Sequence, residues 1–426
     1  MARKASFLFL LAMYFLNIIK ANAQENSFSI TGQYRTRTEL RYGYRTLASD
    51  SSTAAFFITQ RARLIVDYNK DKVSTKISIQ DSRTWGDVEL KNDFASLQVN
   101  ELWLELFIQK GFSIKLGRQE LAYDDHRLLG NLDWANLTIS HDAVLLKYTN
   151  ENATIKWHLG AAFNQSGEPL FGTNYTLKNY KTLGFSWIKK ELKSGQSLSG
   201  IVIVNGMTST NANTKKLKAT CTLGSIYNYD YKSVKALIGT YYQVGKTENN
   251  LNVNALMINA YAEKKIKKKS IGIGIDYLSG NKDNTINTES KTFNTLYATN
   301  HKFYGYMDYF INIPTDTKLR GLLNPYIKFS YALSKSAIFY FDLQKFMLAN
   351  ENNTALIKIA KNLGTEVDAI LELKPSALIN LQFGYSMMLA TQNMEYIKGG
   401  KSNHYNGWAF VMLKVSPVFL KNEFKN

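Results

Sequence analysis

The sequence predicts an all-β protein, a transmembrane antiparallel β-barrel of about eighteen strands. Three observations predict it. Apolar and polar residues alternate with period two along many short runs. The connections between those runs tend to alternate long and short. Aromatic residues abound, with 26 Tyr, 23 Phe and 6 Trp, while Pro numbers only 5. Aromatics suit strands and membrane-interface girdles, and Pro is excluded from central strands.

The chain opens on a targeting segment rather than a fold element. Arg3 and Lys4 form a positive n-region, and Phe7 to Leu16 form an apolar h-region. Ala21-Asn22-Ala23 reads as a cleavage site. The expected division is therefore a signal peptide over 1–23 and an outer-membrane barrel over 24–426. The h-region is too short to span about 30 Å of hydrocarbon. No later run approaches the ~20 apolar residues of a membrane helix. Helices and closed barrels alone satisfy their backbone in lipid, so the mature product is either a barrel or a soluble β-protein.

Periodicity separates those two. In the first run Phe28, Ile30, Gly32, Tyr34, Thr36, Thr38 and Leu40 alternate with Ser29, Thr31, Gln33, Arg35, Arg37, Glu39 and Arg41. One set suits lipid and the other must meet water. In the second, Phe56, Ile58, Ala62, Leu64 and Val66 oppose Arg61, Arg63 and Asp67. Later runs repeat the pattern, as in Ile271, Ile273, Ile275 and Tyr277 against Gly272, Gly274 and Asp276. Expected strands are 28–41, 55–69, 72–80, 97–108, 112–118, 140–148, 153–164, 180–189, 197–205, 217–227, 233–245, 251–263, 269–279, 323–334, 337–347, 361–373, 377–389 and 406–416. Short links such as 69–72, 109–111 and 374–376 alternate with long ones such as 42–54, 119–139 and an extracellular loop over 280–322. A barrel with both termini in the periplasm has this order of turns and loops. The link between strands eleven and twelve is short, which breaks the pattern there. A soluble propeller would show a blade repeat of ~40–50 residues, and none is visible.

The formal net charge is +18. Such a balance suits nucleic acid, lipopolysaccharide or anionic cargo, and the secretion signal argues against nucleic acid. Arg35, Arg37, Arg61, Arg63, Lys76, Lys115 and Lys156 fall on the wet face of the first strands. In a barrel that face is the lumen, where fixed cations concentrate anions. The bland alternative is pairing with Glu39, Asp67, Glu101 and Glu105. The stretch Leu116 to Trp134 is dense in Arg, Asp and Glu and is long enough to fold into the lumen and narrow it. Asp124, Asp125 and Asp133 would then pair with arginines.

The stretch GRQELAYDDHRLLGNLDW over 117–134, followed by Asp142-Ala143-Val144, resembles the alginate-export family of outer-membrane β-barrel porins. Arg35-Thr36-Arg37-Thr38-Glu39, Gln60 to Leu64, Gln80 to Gly86 and His301 to Asp308 agree with it. The resemblance implies a monomeric eighteen-stranded barrel with an arginine-rich, anion-selective constriction. The positions it points to are Arg37, Arg61, Arg63, Arg83, Arg118 and Arg127. It implies passage of anionic solutes such as a uronic-acid, alginate-like polysaccharide. A general or sugar-acid nutrient porin with little selectivity stays open beside it. Expected partners are the anionic carbohydrate or another small anionic solute, outer-membrane lipid and lipopolysaccharide, and periplasmic export proteins. In the last strand, Trp408 and Phe410 stand where an assembly signal is expected.

Enzyme readings fare poorly. His126, His141, His158, His301 and His404 lack zinc-site spacing, so no metal and no cofactor is expected. Ser140 and His141 are adjacent strand residues that point to opposite faces, which disqualifies them as a nucleophile and its base.

Overall fold

A computed structural model describes residues 26–91, 96–172, 179–209, 216–282, 289–353 and 358–423. The expected signal peptide, 1–23, lies outside them. Eighteen strands of the described residues close one antiparallel barrel. The first thirteen are β1 (Ser27–Tyr42), β2 (Ala55–Lys70), β3 (Val73–Thr84), β4 (Leu97–Gln109), β5 (Phe112–Gln119), β6 (His141–Thr149), β7 (Ile155–Phe163), β8 (Thr182–Glu191), β9 (Gln196–Thr208), β10 (Leu217–Tyr231), β11 (Val234–Lys246), β12 (Asn252–Ile266) and β13 (Lys269–Leu278). They are followed by β14 (Leu322–Ala332), β15 (Ala337–Leu348), β16 (Asn362–Ser376) and β17 (Ile379–Ala390). The last strand, β18, runs in two segments, Gly407–Val415 and Val418–Glu423.

Closure comes from β1, which pairs with β2 on one edge and with both segments of β18 on the other. Among the described residues no barrel strand is left with an open edge for lipid to meet, which is the condition for a sheet inside hydrocarbon. The sequence expectation stopped β18 at residue 416; the structure carries it to Glu423. Pro417 has no N–H to give the ladder, so it interrupts the pairing. Its carbonyl still accepts from Gly32 N at 2.9 Å. A Cβ on Gly32 would fall 2.7 Å from the Phe419 ring, so glycine is what lets that ring cross β1.

Side chains alternate out and in as the period demands. Along β9, Leu198, Val202 and Val204 face outward at 40–46% exposure, while Ser199, Ile203 and Asn205 are buried inside. Along β12, Leu256 and Ile258 face out and Ala255, Met257 and Asn259 face in. So many exposed large apolar side chains would aggregate a soluble protein, but they suit a lipid-facing band. The short turns at one end carry the left-handed residues that two-residue hairpins require, among them Asp71, Lys110, Gly111 and Lys232. The long connections gather at the other end. Loop 279–321 holds two short 3₁₀ turns, Asn300–Lys302 and Thr315–Thr317, and the loop after β17 holds helix α1 (Gln392–Lys398).

Candidate functional site

Two long loops turn back into the barrel, and the site is built where they meet the wall. On the inner faces of β1 and β2, Arg35 lies directly opposite Arg61 and Gln33 opposite Arg63. Like charges in that position repel, so something must compensate them. Loop 120–140 does so with its backbone. Arg35 donates to the carbonyls of Asp133 (2.6 Å) and Ala135 (2.7 Å) and to Asn136 Oδ1 (3.2 Å). Arg61 donates to the same two carbonyls at 3.2 and 3.1 Å and to Asp133 Oδ1 at 2.7 Å. Arg37 reaches the carbonyl of Trp134 at 2.9 Å and pairs with Glu39 at 2.8 Å. The guanidinium group of Arg37 also lies over the Trp134 ring at 4.4 Å, and the other face of that ring stacks on His301 at 4.5 Å. Hydrogen bonds to charged groups contribute roughly 1.5–3 kcal/mol each, so this ladder pins 133–136 firmly to the wall.

A second buried cation ties the loops together. Arg127 is 4% exposed. It pairs with Asp125 of its own loop and with Asp276 of β13, both at 2.9 Å, and lies over the Phe303 ring at 4.0 Å. Opposite charge around it keeps the guanidinium protonated far beyond ordinary pH, although burial alone would pull the other way. Backbone bonds join the loops as well: Gly130 N to Tyr297 O at 2.9 Å, Tyr297 N to Leu128 O at 2.9 Å and Thr299 N to His126 O at 3.0 Å. Leu128, Leu129, Phe293, Met307 and Phe310 fill the space between loops and wall. Asp308 closes the far side, accepting from Tyr44 and holding His301 Nδ1 at 2.6 Å. Burial pushes the Asp308 carboxyl up, but His301, Tyr44 and Arg45 together hold it below its usual value. Burial raises the carboxyls of Glu120 and Asp124.

Of the six arginines singled out in the sequence, the structure brings four inside the barrel and separates two. Arg37, Arg61, Arg63 and Arg127 are inside. Arg63 donates to Gln80 Oε1 at 2.7 Å and lies 3.9 Å from Asp133. Arg83 and Arg118 lie on the outer face near the long-loop end. Arg83 shares its face with Ile77 and pairs with Asp81 at 2.7 Å. Arg118 shares its face with Leu116 and pairs with Asp142 at 3.4 Å. Strand period alone separates them, because each sits an even number of residues from an outward apolar neighbour. Replacing Arg83 and Arg118 together with Gln is expected to leave ion selectivity unchanged, as read by reversal potential in a lipid bilayer. A shifted potential would return them to the conduction path.

Trp408 and Phe410, which the sequence offered as an assembly signal, are turned into the barrel. They face inward, 1% and 4% exposed, and pack on Trp134. The outward aromatic near the end of β18 is Phe419. Arg35 has the same parity as Arg37, which is the signal that would have added it to the six. His301 and Trp134 fall within stretches that carry the resemblance, but no spacing pattern gave either a role at the site.

The inner wall is not uniformly basic. Along β15 and β16, Asp342, Glu366, Asp368 and Glu372 face in and are buried. Asp342 pairs with Lys328 at 2.8 Å, and Glu366 accepts from Met307 N at 2.9 Å. Between this arc and the loops, on the short-turn side, lies a cavity of 690 Å³. Trp134, His301 and Lys302 line it from the loops, and Tyr261, Tyr326 and Lys328 from the wall.

This arrangement can pass or hold a solute; the described residues include no cluster of three or more His, Cys, Asp or Glu side chains suited to a metal. Comparison with known proteins agrees on the architecture. The crystal structure of Acinetobacter baumannii OccAB4 is similar with a TM-score of 0.62 at 13% identity, covering 93% of this chain and 99% of that one. Acinetobacter baumannii OccAB1 is similar with a TM-score of 0.64 at 9% identity, covering 92% and 97%. Pseudomonas aeruginosa OpdL gives a TM-score of 0.63 at 10% identity, covering 92% and 99%. At these identities the likeness shows the fold. No curated protein matches the sequence. The family model described as Alginate export matches residues 26–166, the stretch that contains β1 to β7 and loop 120–140. Over residues 26–166 the chain is thus similar to the alginate-export family, and the whole chain shares the closed-barrel fold of those crystal structures.

Proposed function

We propose that this barrel is an outer-membrane channel that passes anionic solutes, with uronic-acid chains or shorter sugar acids as the substrate class. One observation carries the reading. Arg35, Arg37, Arg61 and Arg63 crowd one arc of the inner wall, and among the described residues the carboxylates in ion-pair contact with them are Asp133 and Glu39, with Glu101 and Glu120 acting on Arg63 from farther off. Backbone and amide carbonyls take up most of the other guanidinium donors, Arg61 Nε excepted, without cancelling their charge. The arc therefore keeps a positive potential where loop 120–140 narrows the lumen, and a positive constriction draws in anions and repels cations. The arginines act by field and by holding the loop, rather than as free side chains along an open tube. A barrel has no energy source, so the solute moves down its gradient. Residues 1–23 would direct secretion. The outward Arg83 and Arg118 would meet lipopolysaccharide at the rim, and the barrel would work as a monomer.

The second reading is a nutrient porin with little selectivity. The acidic arc of Asp342, Glu366, Asp368 and Glu372 favours it, because carboxylates a few strands away offset the basic arc. Reversal potential across a planar bilayer under a potassium chloride gradient decides between them. The expected sign is that of an anion-preferring pore. A potential near zero, or one of cation-preferring sign, would give the nutrient-porin reading the field.

A further inference from the structure

The 690 Å³ cavity falls within the roughly 300–1,000 Å³ range of small-ligand sites. Its charges are nearly all spoken for. Arg127 holds Asp125, Arg61 holds Asp133, Lys328 holds Asp342 and Lys374 holds Glu372. Lys302 differs. The residue is exposed, and among the described residues its ammonium group donates to the backbone carbonyl of Asp125, at 3.1 Å. The cavity therefore presents a cation with no carboxylate in ion-pair contact, the nearby Asp125 carboxylate being held by Arg127.

A second lining group is unsatisfied. His301 is 4% exposed, and its Nδ1 is engaged by Asp308 at 2.6 Å. Its Nε2 is buried with no partner in the protein. Nδ1–H donating to the carboxylate leaves Nε2 as an acceptor suited to a hydroxyl. A buried polar atom without a partner costs about 1–3 kcal/mol, which a hydroxyl in the cavity would recover. The remaining walls are flat rings. Trp134 is already stacked on His301, and Tyr261 and Tyr326 lie nearly parallel at 6.0 Å.

We propose that this cavity is a binding station for a single carboxylated sugar ring, its carboxylate on Lys302 and a hydroxyl on His301 Nε2. This deepens the anion-channel reading and rests on it. The station lies on the short-turn side of loops 120–140 and 279–321, so it would load or release solute next to the constriction. An aromatic acid would satisfy Lys302 and the rings but leave Nε2 empty. A neutral sugar would do the reverse. The sugar acid meets both demands.

The test uses the full-length barrel in a planar bilayer, with galacturonate, galactose and benzoate as probes of current block. Galacturonate is expected to block saturably, and at lower concentration than either of the others. Lys302→Gln is expected to raise its half-blocking concentration about tenfold, the equivalent of one charge-assisted hydrogen bond, and Lys302→Arg to restore most of it. His301→Phe, which keeps the stack on Trp134, is expected to bring galacturonate and benzoate together. Equal block by galactose and galacturonate would overturn the proposal, as would no change in Lys302→Gln or block by benzoate matching galacturonate in the unaltered protein. Reversal potential is read from the same membranes. A pore that prefers anions yet shows no saturable galacturonate block sinks the station and leaves the channel reading standing. A pore without anion preference sinks the channel reading, whatever the block shows.

Discussion

Replacing Arg35 and Arg61 together with Gln is expected to raise single-channel conductance several-fold and to make the current noisy. Between them these side chains make four hydrogen bonds to the carbonyls of Asp133 and Ala135 and one to the Asp133 carboxylate. Losing even two such bonds at about 1.5 kcal/mol each would shift the ratio of docked to released loop on the order of a hundredfold. The released segment includes Trp134, so the ring would also leave its place between Arg37 and His301. Because the two cations face each other directly across β1 and β2, removing one relieves the other. The single variants should therefore be milder than half the double. Conductance that stays quiet and unchanged in the double variant would mean that apolar packing of Leu128 and Leu129 alone keeps the loop in place.

The second large effect is expected at Arg127. Substitution by Met strands Asp276, which is fully buried, and removes the bridge between loop 120–140 and β13. Breaking a buried pair in this way costs about 3–5 kcal/mol, most of it from the charge left behind. The loss should appear as earlier thermal unfolding in detergent and as faster proteolysis within loops 120–140 and 279–321. Adding Asp276→Asn to Arg127→Met should recover a substantial part, because no uncompensated carboxylate then remains at that position. If the double variant were as unstable as the single one, the role of Arg127 would be packing against Phe303 rather than charge.

What was legible in the sequence follows from how local the signal is. A strand residue's face is set by parity, so the eighteen strands, the outward band of Leu198, Val202 and Ile258, and the inward set of Arg35, Arg37, Arg61 and Arg63 could all be read directly. The same parity already placed Arg118 with Leu116 and Arg83 with Ile77, and it contradicts the lumen position that motif resemblance implied for both. The end of β18 was harder to read. Pro417 looks like a stop locally, and strand pairing resumes beyond it only because β1 is long enough to receive the second segment.

The sequence by itself determined the barrel, its direction of alternation and the basic wall, because period two and turn chemistry act over a few residues. Tertiary structure alone decided what the basic wall does. The loop partners of Arg35 and Arg61 lie 100 and 72 positions along the chain, and the partner of Arg127 in β13 lies 149 away. Bonds at that separation depend on which loop the closed wall admits, and no short-range pattern encodes that. The same is true of His301 and Lys302, whose unmet bonding capacity exists only once loop 279–321 has folded against loop 120–140 inside the barrel.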